Sequence, residues 1–427
     1  MSKQLSENKR IFRDMDFILL NINAFLVIAG YALAVYTELQ SVGIMKIVKS
    51  FILVLSIFSL FRNAKLGKNP IPSPTFLYMM VFSFWVLLMT FFAENVYFAI
   101  SRSMTFLLPF LYLYVSIHNL TNKYNAFALL KAFARSFNMI YAMPVFLFLL
   151  SGAGFSQTSI YGQGSTEGQF LVSNQYGWSC AVFMITSLDV WLSTKPGKAY
   201  KIFLLFTNVV ALYLVLISGN RASWLAIALA MVIFALRLKT IRTDFKILLA
   251  ILPIAGIIWF YNLPDSSLQT RFNDTETQLE TGEARFNTAK LAINEFNEDK
   301  YLWITGAGMF NYERIIHGEG LGDYHNSYLE VLFGGGIALF LMFINFMIFR
   351  PFYYYAKYYS KYFLLITPFA IIPFFESNLT GGQFLFYPWF IFMLLFNIPP
   401  YYDQKRIKAN QEMLTKKKII IGSIKPL

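Results

Sequence analysis

Residues 323–336 read DYHNSYLEVLFGGG. The stretch is polar, then apolar, then three glycines, and it opens one of a series of long apolar runs. Ser327-x-x-Glu330 has the spacing of a capping box, in which a hydroxyl and a carboxylate satisfy free amides at a helix start. The helix expected after it is apolar enough to be a membrane span. Gly334, Gly335 and Gly336 remove side chains and allow another backbone to approach closely. His325 and Asn326 then stand at the outer mouth of that span, in a chain with only three histidines. Two readings of His325 stand together here: a solvated loop residue before a capped helix, or a base at a functional site.

Composition explains why the run is read as a span. The 427 residues are 57% hydrophobic and 14% charged, whereas a soluble chain carries about 25% charged residues. That balance belongs to a helix bundle in lipid. The single cysteine, Cys180, excludes an internal disulfide and a cysteine metal site, and its apolar surroundings point to helix packing. The N-terminal MSKQLSENKRIFRDMDF lacks a small-residue cleavage site after the first apolar stretch. It is expected to lead into an uncleaved span.

A span takes about 20 apolar residues, and about twelve such runs occur: 17–37, 44–62, 75–93, 96–117, 133–152, 170–191, 200–218, 222–238, 245–263, 326–349, 361–379 and 382–400. The second carries Lys46 and Lys49 in its first turns. With the N-terminus placed in the cytoplasm, most of the 36 lysines and arginines fall on the inner segments, as the positive-inside rule requires. The expected fold is therefore an all-α polytopic membrane protein with about twelve spans and both termini cytoplasmic. Residues 1–263 hold spans one to nine, 264–324 form a large extracytoplasmic loop, 325–400 hold the last three spans, and 401–427 form a basic tail. The net charge of +13 is then mostly topology. The Lys416–Lys418 run suits an anionic lipid surface, and no nucleic-acid partner is needed.

Two outer segments stand out. Residues 153–169, GAGFSQTSIYGQGSTEG, contain no lysine or arginine and read as a flexible linker. In the large loop, TGEARFNTAKLAINEFNED from Thr281 places Phe286, Ala289, Ile293 and Phe296 at steps of three and four, the stripe of an amphipathic helix. Glu283 falls in its first turn, where it suits the dipole, and Arg285 flanks the stripe. This helix is expected to lie on the membrane surface or over a cavity. Gly306 and Gly308 then mark a tight turn. Tyr301, Trp303 and Tyr312 read as interfacial anchors or, alternatively, as platforms for a sugar ring.

Further polar residues gather on the outer side. SGNR, residues 218–221, joins two spans with almost no loop and leaves Arg221 at the end of the eighth, either snorkelling to headgroups or lining a pocket. Arg102 lies about two turns into the fourth span, where a cation costs about 2.5–3.5 kcal/mol and normally faces a polar cavity. Asn174 and Gln175 open the sixth span. Glu376 ends the eleventh, as a structural partner for an arginine or as part of a site. Together these residues outline an outward-facing, arginine-rich pocket with one histidine. Histidine pairs at metal-ligand spacing and acidic clusters for magnesium are both lacking, so no metal or other cofactor is expected. Chemistry outside the cytoplasm needs a donor that carries its own leaving group. A lipid diphosphate fits, because arginines bind phosphate oxygens through paired hydrogen bonds.

SGNRASWLAIALA, the loop helix with Arg285, the turn ITGAG and HNSYLEVLFGGGIALF together resemble the O-antigen ligase/polymerase family of bacterial envelope glycosyltransferases, over roughly residues 170–400. The resemblance implies a glycan carried on undecaprenyl diphosphate at the outer face of the inner membrane and transferred, without a metal, to a sugar hydroxyl. It implies that Arg221 and Arg285 hold the donor diphosphate, and the pocket read from the residues adds Arg102 to them. It makes His325 the general base on the acceptor hydroxyl, and Asn326, Asn174 and Glu376 supporting residues. An acceptor glycan or glycolipid, the bilayer and a separate chain-length regulator are the partners it allows. The first expectation is a polysaccharide polymerase that extends lipid-linked repeat units. The rivals are a ligase that places the finished chain on lipid A-core and, from another class, a lipid-linked oligosaccharide transporter. A transporter predicts cavity charges in both halves and no large outer loop.

Overall fold

A computed structural model describes residues 10–36, 51, 54–62, 74–150, 167–194, 197–218, 220–237, 251, 255–256, 258–259, 261–263, 284–311, 315–316, 319–320, 326–354, 357–358, 391 and 395. The helices are α1 (Met15–Tyr36), α2 (Pro74–Thr90), α3 (Val96–Lys123), α4 (Ala126–Tyr141), α5 (Met143–Leu150), α6 (Glu167–Thr194), α7 (Lys198–Ile217), α8 (Arg221–Arg237), α9 (Ala284–Glu298), α10 (Leu302–Thr305), α11 (Ser327–Ile344) and α12 (Arg350–Tyr354). A π-helical turn, Asn345–Phe349, joins the last two. The described strands are the two-residue β1 (Ile315–Ile316) and β2 (Glu319–Gly320), paired antiparallel. Residues 54–62 are helical as well.

The fold is thus helical. Among the described residues, four runs are long and apolar enough to cross a membrane: α3, the stretch Ala126–Leu150 made by α4 and α5, α7 and α11. The expected eleventh and twelfth spans and the basic tail lie almost wholly outside the described residues. The fifth expected span begins at Ala126 rather than at 133, because Asn125 caps the helix there and accepts the Phe127 amide at 2.9 Å. The chain passes into α5 without a turn, the Phe146 amide donating to the Ala142 carbonyl at 3.1 Å.

One end of the bundle is tied by charge. The Arg62 guanidinium pairs with Asp16 at the start of α1. Lys123, at the end of α3, reaches Asp14 at 2.7 Å and Asp16 at 3.7 Å, and the Tyr124 hydroxyl donates to Asp14 at 3.2 Å. Spans that alternate in direction must bring these chain positions to one end, so the cluster agrees with the expected order of spans. Asp16 is buried, and a buried carboxylate is tolerated only when it is paired. Midway along α4, Asn138 is fully buried and donates to Ser187 of α6 at 2.7 Å while accepting from the Tyr200 hydroxyl of α7 at 3.0 Å. The three helices are thereby held in one register.

The opposite end is built from backbone rather than charge. Gly306 and Gly308 form the expected turn, with φ of 71° and 101°. The Ala307 amide donates to the Phe333 carbonyl at 2.7 Å and the Gly308 amide to the Gly334 carbonyl at 3.1 Å. The Met309 amide donates to the Met89 carbonyl at 3.3 Å, which fastens the same turn to the end of α2. The three glycines of α11 admit this approach: a Cβ on Gly306 would meet the Gly334 carbonyl oxygen at 2.5 Å.

The tenth span differs from the straight helix expected over 326–349. Gly336 has φ 72° and ψ −179° inside α11, a conformation open essentially to glycine alone. Tyr328 and Phe343 are fifteen residues apart, which on a straight helix is about 22 Å. Their rings stand 5.8 Å apart, so the chain bends sharply at Gly336. The arm 337–344 packs along α2, where Phe343 stacks on Phe82 at 6.2 Å and the Tyr78 hydroxyl donates to the Met342 carbonyl. The arm 327–335 lies off that axis. The bend also removes the Ile337 and Ala338 amides as helical partners of the Phe333 and Gly334 carbonyls, and the 306–308 turn supplies the donors instead.

Gly336→Ala should therefore destabilise the protein by about 2–4 kcal/mol, because it strains a left-handed backbone and collides with the Ile304 carbonyl. Gly256→Ala has open space around it and should leave thermal unfolding in detergent unchanged or slightly raised. Equal midpoints for the two variants would contradict the bend.

Candidate functional site

The helix that follows His325 starts one residue earlier than the capping-box spacing implied. Asn326 is the cap, with φ −150° and ψ 110°, and its side-chain oxygen accepts the Tyr328 and Leu329 amides at 2.9 and 3.1 Å. Ser327 is the first helical residue and is fully buried. Both residue types cap well. Asn326 wins because its oxygen reaches two amides at once. His325 and Glu376 lie outside the described residues, so their placement remains a reading of the sequence. The arm that follows Asn326 is not an open mouth: Ser327, Tyr328 and Glu330 are all buried.

The loop helix α9 packs on this arm. Phe296 is buried and meets Phe333 at 5.1 Å and Trp303 at 5.3 Å, both edge to face. Ala292 and Ala307 close the same small core. The buried face of α9 therefore runs through Ala292 and Phe296, while Ile293, counted in the expected stripe, is 41% exposed. The stripe is rotated because its partner is an aromatic ridge on α10 and α11 rather than the membrane surface alone. Arg285 is the second residue of α9. Trp303 spends its ring on Phe296, which leaves Tyr301, 78% exposed, as the open aromatic of the expected group. Tyr312 lies outside the described residues.

The same turn carries Arg102 into the neighbourhood. Gly308 lies against the backbone of Phe92 and Ala93, in the connection that leads to α3. Arg102 sits two turns into α3, half-buried, with its guanidinium 5.1 Å from the Phe98 ring centroid. Its neighbour Ser103 shares a 2.6 Å hydrogen bond with Thr90 of α2. α9, the turn, the first arm of α11, the end of α2 and the start of α3 thus form one packed unit whose elements include Arg285, Asn326 and Arg102.

Arg221 and Asn174 belong to a second unit. Arg221 is the first residue of α8. The Asn220 side chain caps that helix by accepting the Ser223 amide at 2.7 Å, and Trp224 donates its indole N–H to the Val215 carbonyl at 2.8 Å. These bonds make the nearly loop-free SGNR connection rigid. It packs on α6 at Gly177, whose missing Cβ leaves room for Ser218 and Asn220. Asn174 is one turn from that contact on α6.

Residues 206–344 match the family model described as O-antigen ligase. The match takes in Arg221, Arg285, His325 and Asn326, and leaves out Arg102, Asn174 and Glu376. No curated protein matches the chain.

The cap makes a sharp demand on sequence. Asn326→Ala should cost about 1 kcal/mol of stability, whereas Asn326→Asp should keep most of it. Thermal unfolding of purified protein compares the two, and equal losses would show that the cap bonds do not matter. Over residues 206–344, about a third of its length, the chain is similar to the family described as O-antigen ligase.

Proposed function

We propose that this protein is a polysaccharide polymerase. It transfers a growing glycan from undecaprenyl diphosphate to the sugar hydroxyl of another lipid-linked repeat unit at the outer face of the bacterial inner membrane, with both termini cytoplasmic. One observation carries the reading: the family match spans the segment that contains Arg221, Arg285 and His325. The capped, buried arm after His325 supports it, since a base must be held in place to act.

In this reading His325 takes the proton from the acceptor hydroxyl. Histidine has an unperturbed pKa of about 6.5 and is largely neutral at pH 7, and a positioned base contributes about 10²–10⁴-fold. Arg221 and Arg285, with Arg102 behind them, hold the diphosphate and stabilise the negative charge that builds on it as it leaves. The acceptor oxygen forms a bond to the anomeric carbon as the bond to diphosphate breaks, and a single displacement inverts that carbon. No metal enters the scheme. Asn326 holds the helix start, and Asn174 and Glu376 support the pocket.

The ligase is the alternative, because the matched family carries that description. It uses the same donor and differs in acceptor, lipid A-core in place of a repeat unit. The transporter reading has no support in the match.

Surface glycans of cells lacking the gene, restored with wild type, His325→Ala or Arg285→Ala at equal membrane levels, test the proposal. The polymerase reading expects a single repeat on lipid core and no ladder in both variants. Bare core with long polymer on the carrier lipid would make the protein a ligase. A normal ladder from both variants would remove His325 and Arg285 from the site. In membranes, transfer should rise with pH through about 6.5, as the neutral imidazole forms.

A further inference from the structure

At the level where Asn138 ties α4, α6 and α7 together, two of those helices carry a group of cations. Lys131 and Arg135 stand one turn apart on α4, both half-buried. Lys198 and Lys201 stand in the first turn of α7, both exposed. Between these lysines in sequence is Tyr200, whose hydroxyl donates to Asn138, one turn beyond Arg135. Arg135 is near enough to act as a charge on both Lys131 and the Tyr200 hydroxyl. The Lys201 ammonium lies 5.5 Å from the ring centroid of Trp191 on α6.

The grouping works against stability. Like charges four residues apart on a helix repel, and cations in a first turn oppose the helix dipole. The chain around them supplies no opposite charge: residues 95–166 and 190–243 contain no aspartate or glutamate. Asp14 and Asp16 are taken by Arg62 and Lys123, and Asp189 is buried within α6. Among the described residues no carboxylate forms an ion pair with Lys131, Arg135, Lys198 or Lys201.

The positive-inside rule accounts for cations in loops. It does not ask for cations on packed helices held in register, as these are by Asn138, Ser187 and Tyr200. Two features say what meets them. Trp191 and Tyr200 are half-buried beside the cations, and such rings mark the depth of lipid headgroups. The α7 face that carries Lys198 and Lys201 continues through Ile202, Leu205 and Val209, all exposed. A cationic end followed by an apolar stripe matches a phosphate followed by acyl chains, and a soluble anion has no use for the stripe.

We infer that Lys131 and Arg135 of α4, with Lys198 and Lys201 of α7, form a binding site for the phosphate headgroup of an anionic membrane lipid. In the topology proposed above that lipid belongs to the cytoplasmic leaflet, away from the transfer chemistry. The Arg135 guanidinium offers paired donors to phosphate oxygens, and the lysines add charge without fixed geometry. The bound phosphate relieves the repulsion between α4 and α7, so the lipid holds the two helices together.

Native mass spectrometry of the full-length protein, with dioleoyl phosphatidylglycerol titrated into detergent micelles, tests the site. A cation near a lipid surface contributes about fivefold in affinity, so Lys131→Gln with Arg135→Gln should weaken phosphatidylglycerol binding roughly 30-fold. Lys198→Gln with Lys201→Gln changes only exposed positions and should do the same. Lys290→Gln with Lys300→Gln removes equal charge from exposed residues elsewhere and should leave binding unchanged. Phosphatidylcholine with the same chains should bind wild type no better than phosphatidylglycerol binds the two cluster variants. Without added lipid, both cluster variants should unfold at or above the wild-type temperature, because repulsion is removed. Wild-type affinity in both cluster variants, or an equal loss in the Lys290 and Lys300 pair, overturns the inference. Displacement of the lipid by inorganic phosphate at equal concentration also overturns it and makes the site one for a free anion. An acidic peptide that binds where phosphatidylglycerol does not overturns it in favour of a protein contact. The readout is binding alone, so every result leaves the proposed function standing.

Discussion

Two amide protons, those of Ala307 and Gly308, reach the carbonyls of Phe333 and Gly334, and the packing around the bend of α11 depends on that seam. A hydrogen bond contributes only about 0.5–1.5 kcal/mol net. A buried carbonyl left unmet costs about 1–3 kcal/mol. The bend at Gly336 creates two such carbonyls and the turn answers both. Neither feature makes sense without the other. Small residues on both strands of the seam are what allow it, since a Cβ on Gly306 or Gly336 would enter backbone.

The consequence is a division of labour. Most of the bundle holds helices in fixed register through apolar contact, with a few buried polar bonds such as Asn138 to Ser187. The outer unit is anchored to it at Gly308, Met309 and the arm 337–344. Within that unit α9, whose second residue is Arg285, and the arm capped by Asn326 share one aromatic core of Phe296, Trp303 and Phe333. Helix starts that share one core keep their spacing. That preorganisation is what transfer from a charged leaving group demands.

Much of this was legible in the chain. The apolar runs announced the helices, because twenty apolar residues have few other fates. Gly306, Gly308 and the glycine triplet announced close backbone approach. The sequence did not show that they approach each other, because pairing at a distance leaves no local trace. Asn326 was read as the likelier helix cap and is the cap, whereas the Ser327-x-x-Glu330 spacing pointed one residue on; both residue types cap well and only the reach of the side chain decides. The stripe of α9 was rotated because its partner, the ridge of Phe333 and Trp303, cannot be seen from α9 alone. The bend itself was hidden: three adjacent glycines do not say which one takes positive φ. Of the candidate site residues, Arg221, Arg285 and Asn326 stand at helix starts, and their roles belong to the proposed function. Glu330 was read only as half of a capping box, and it is buried.

The central claim is metal-free glycosyl transfer from a polyprenyl diphosphate, and purified protein in proteoliposomes tests it most directly. The measurement is release of polyprenyl diphosphate from a defined lipid-linked oligosaccharide, with a chelator present and with or without a second lipid-linked repeat unit as acceptor. The account predicts release only when acceptor is added, unaffected by chelator, with a lengthened glycan whose new linkage is inverted at the anomeric carbon. Release that stops with chelator, or a product that retains the anomeric configuration, would contradict it.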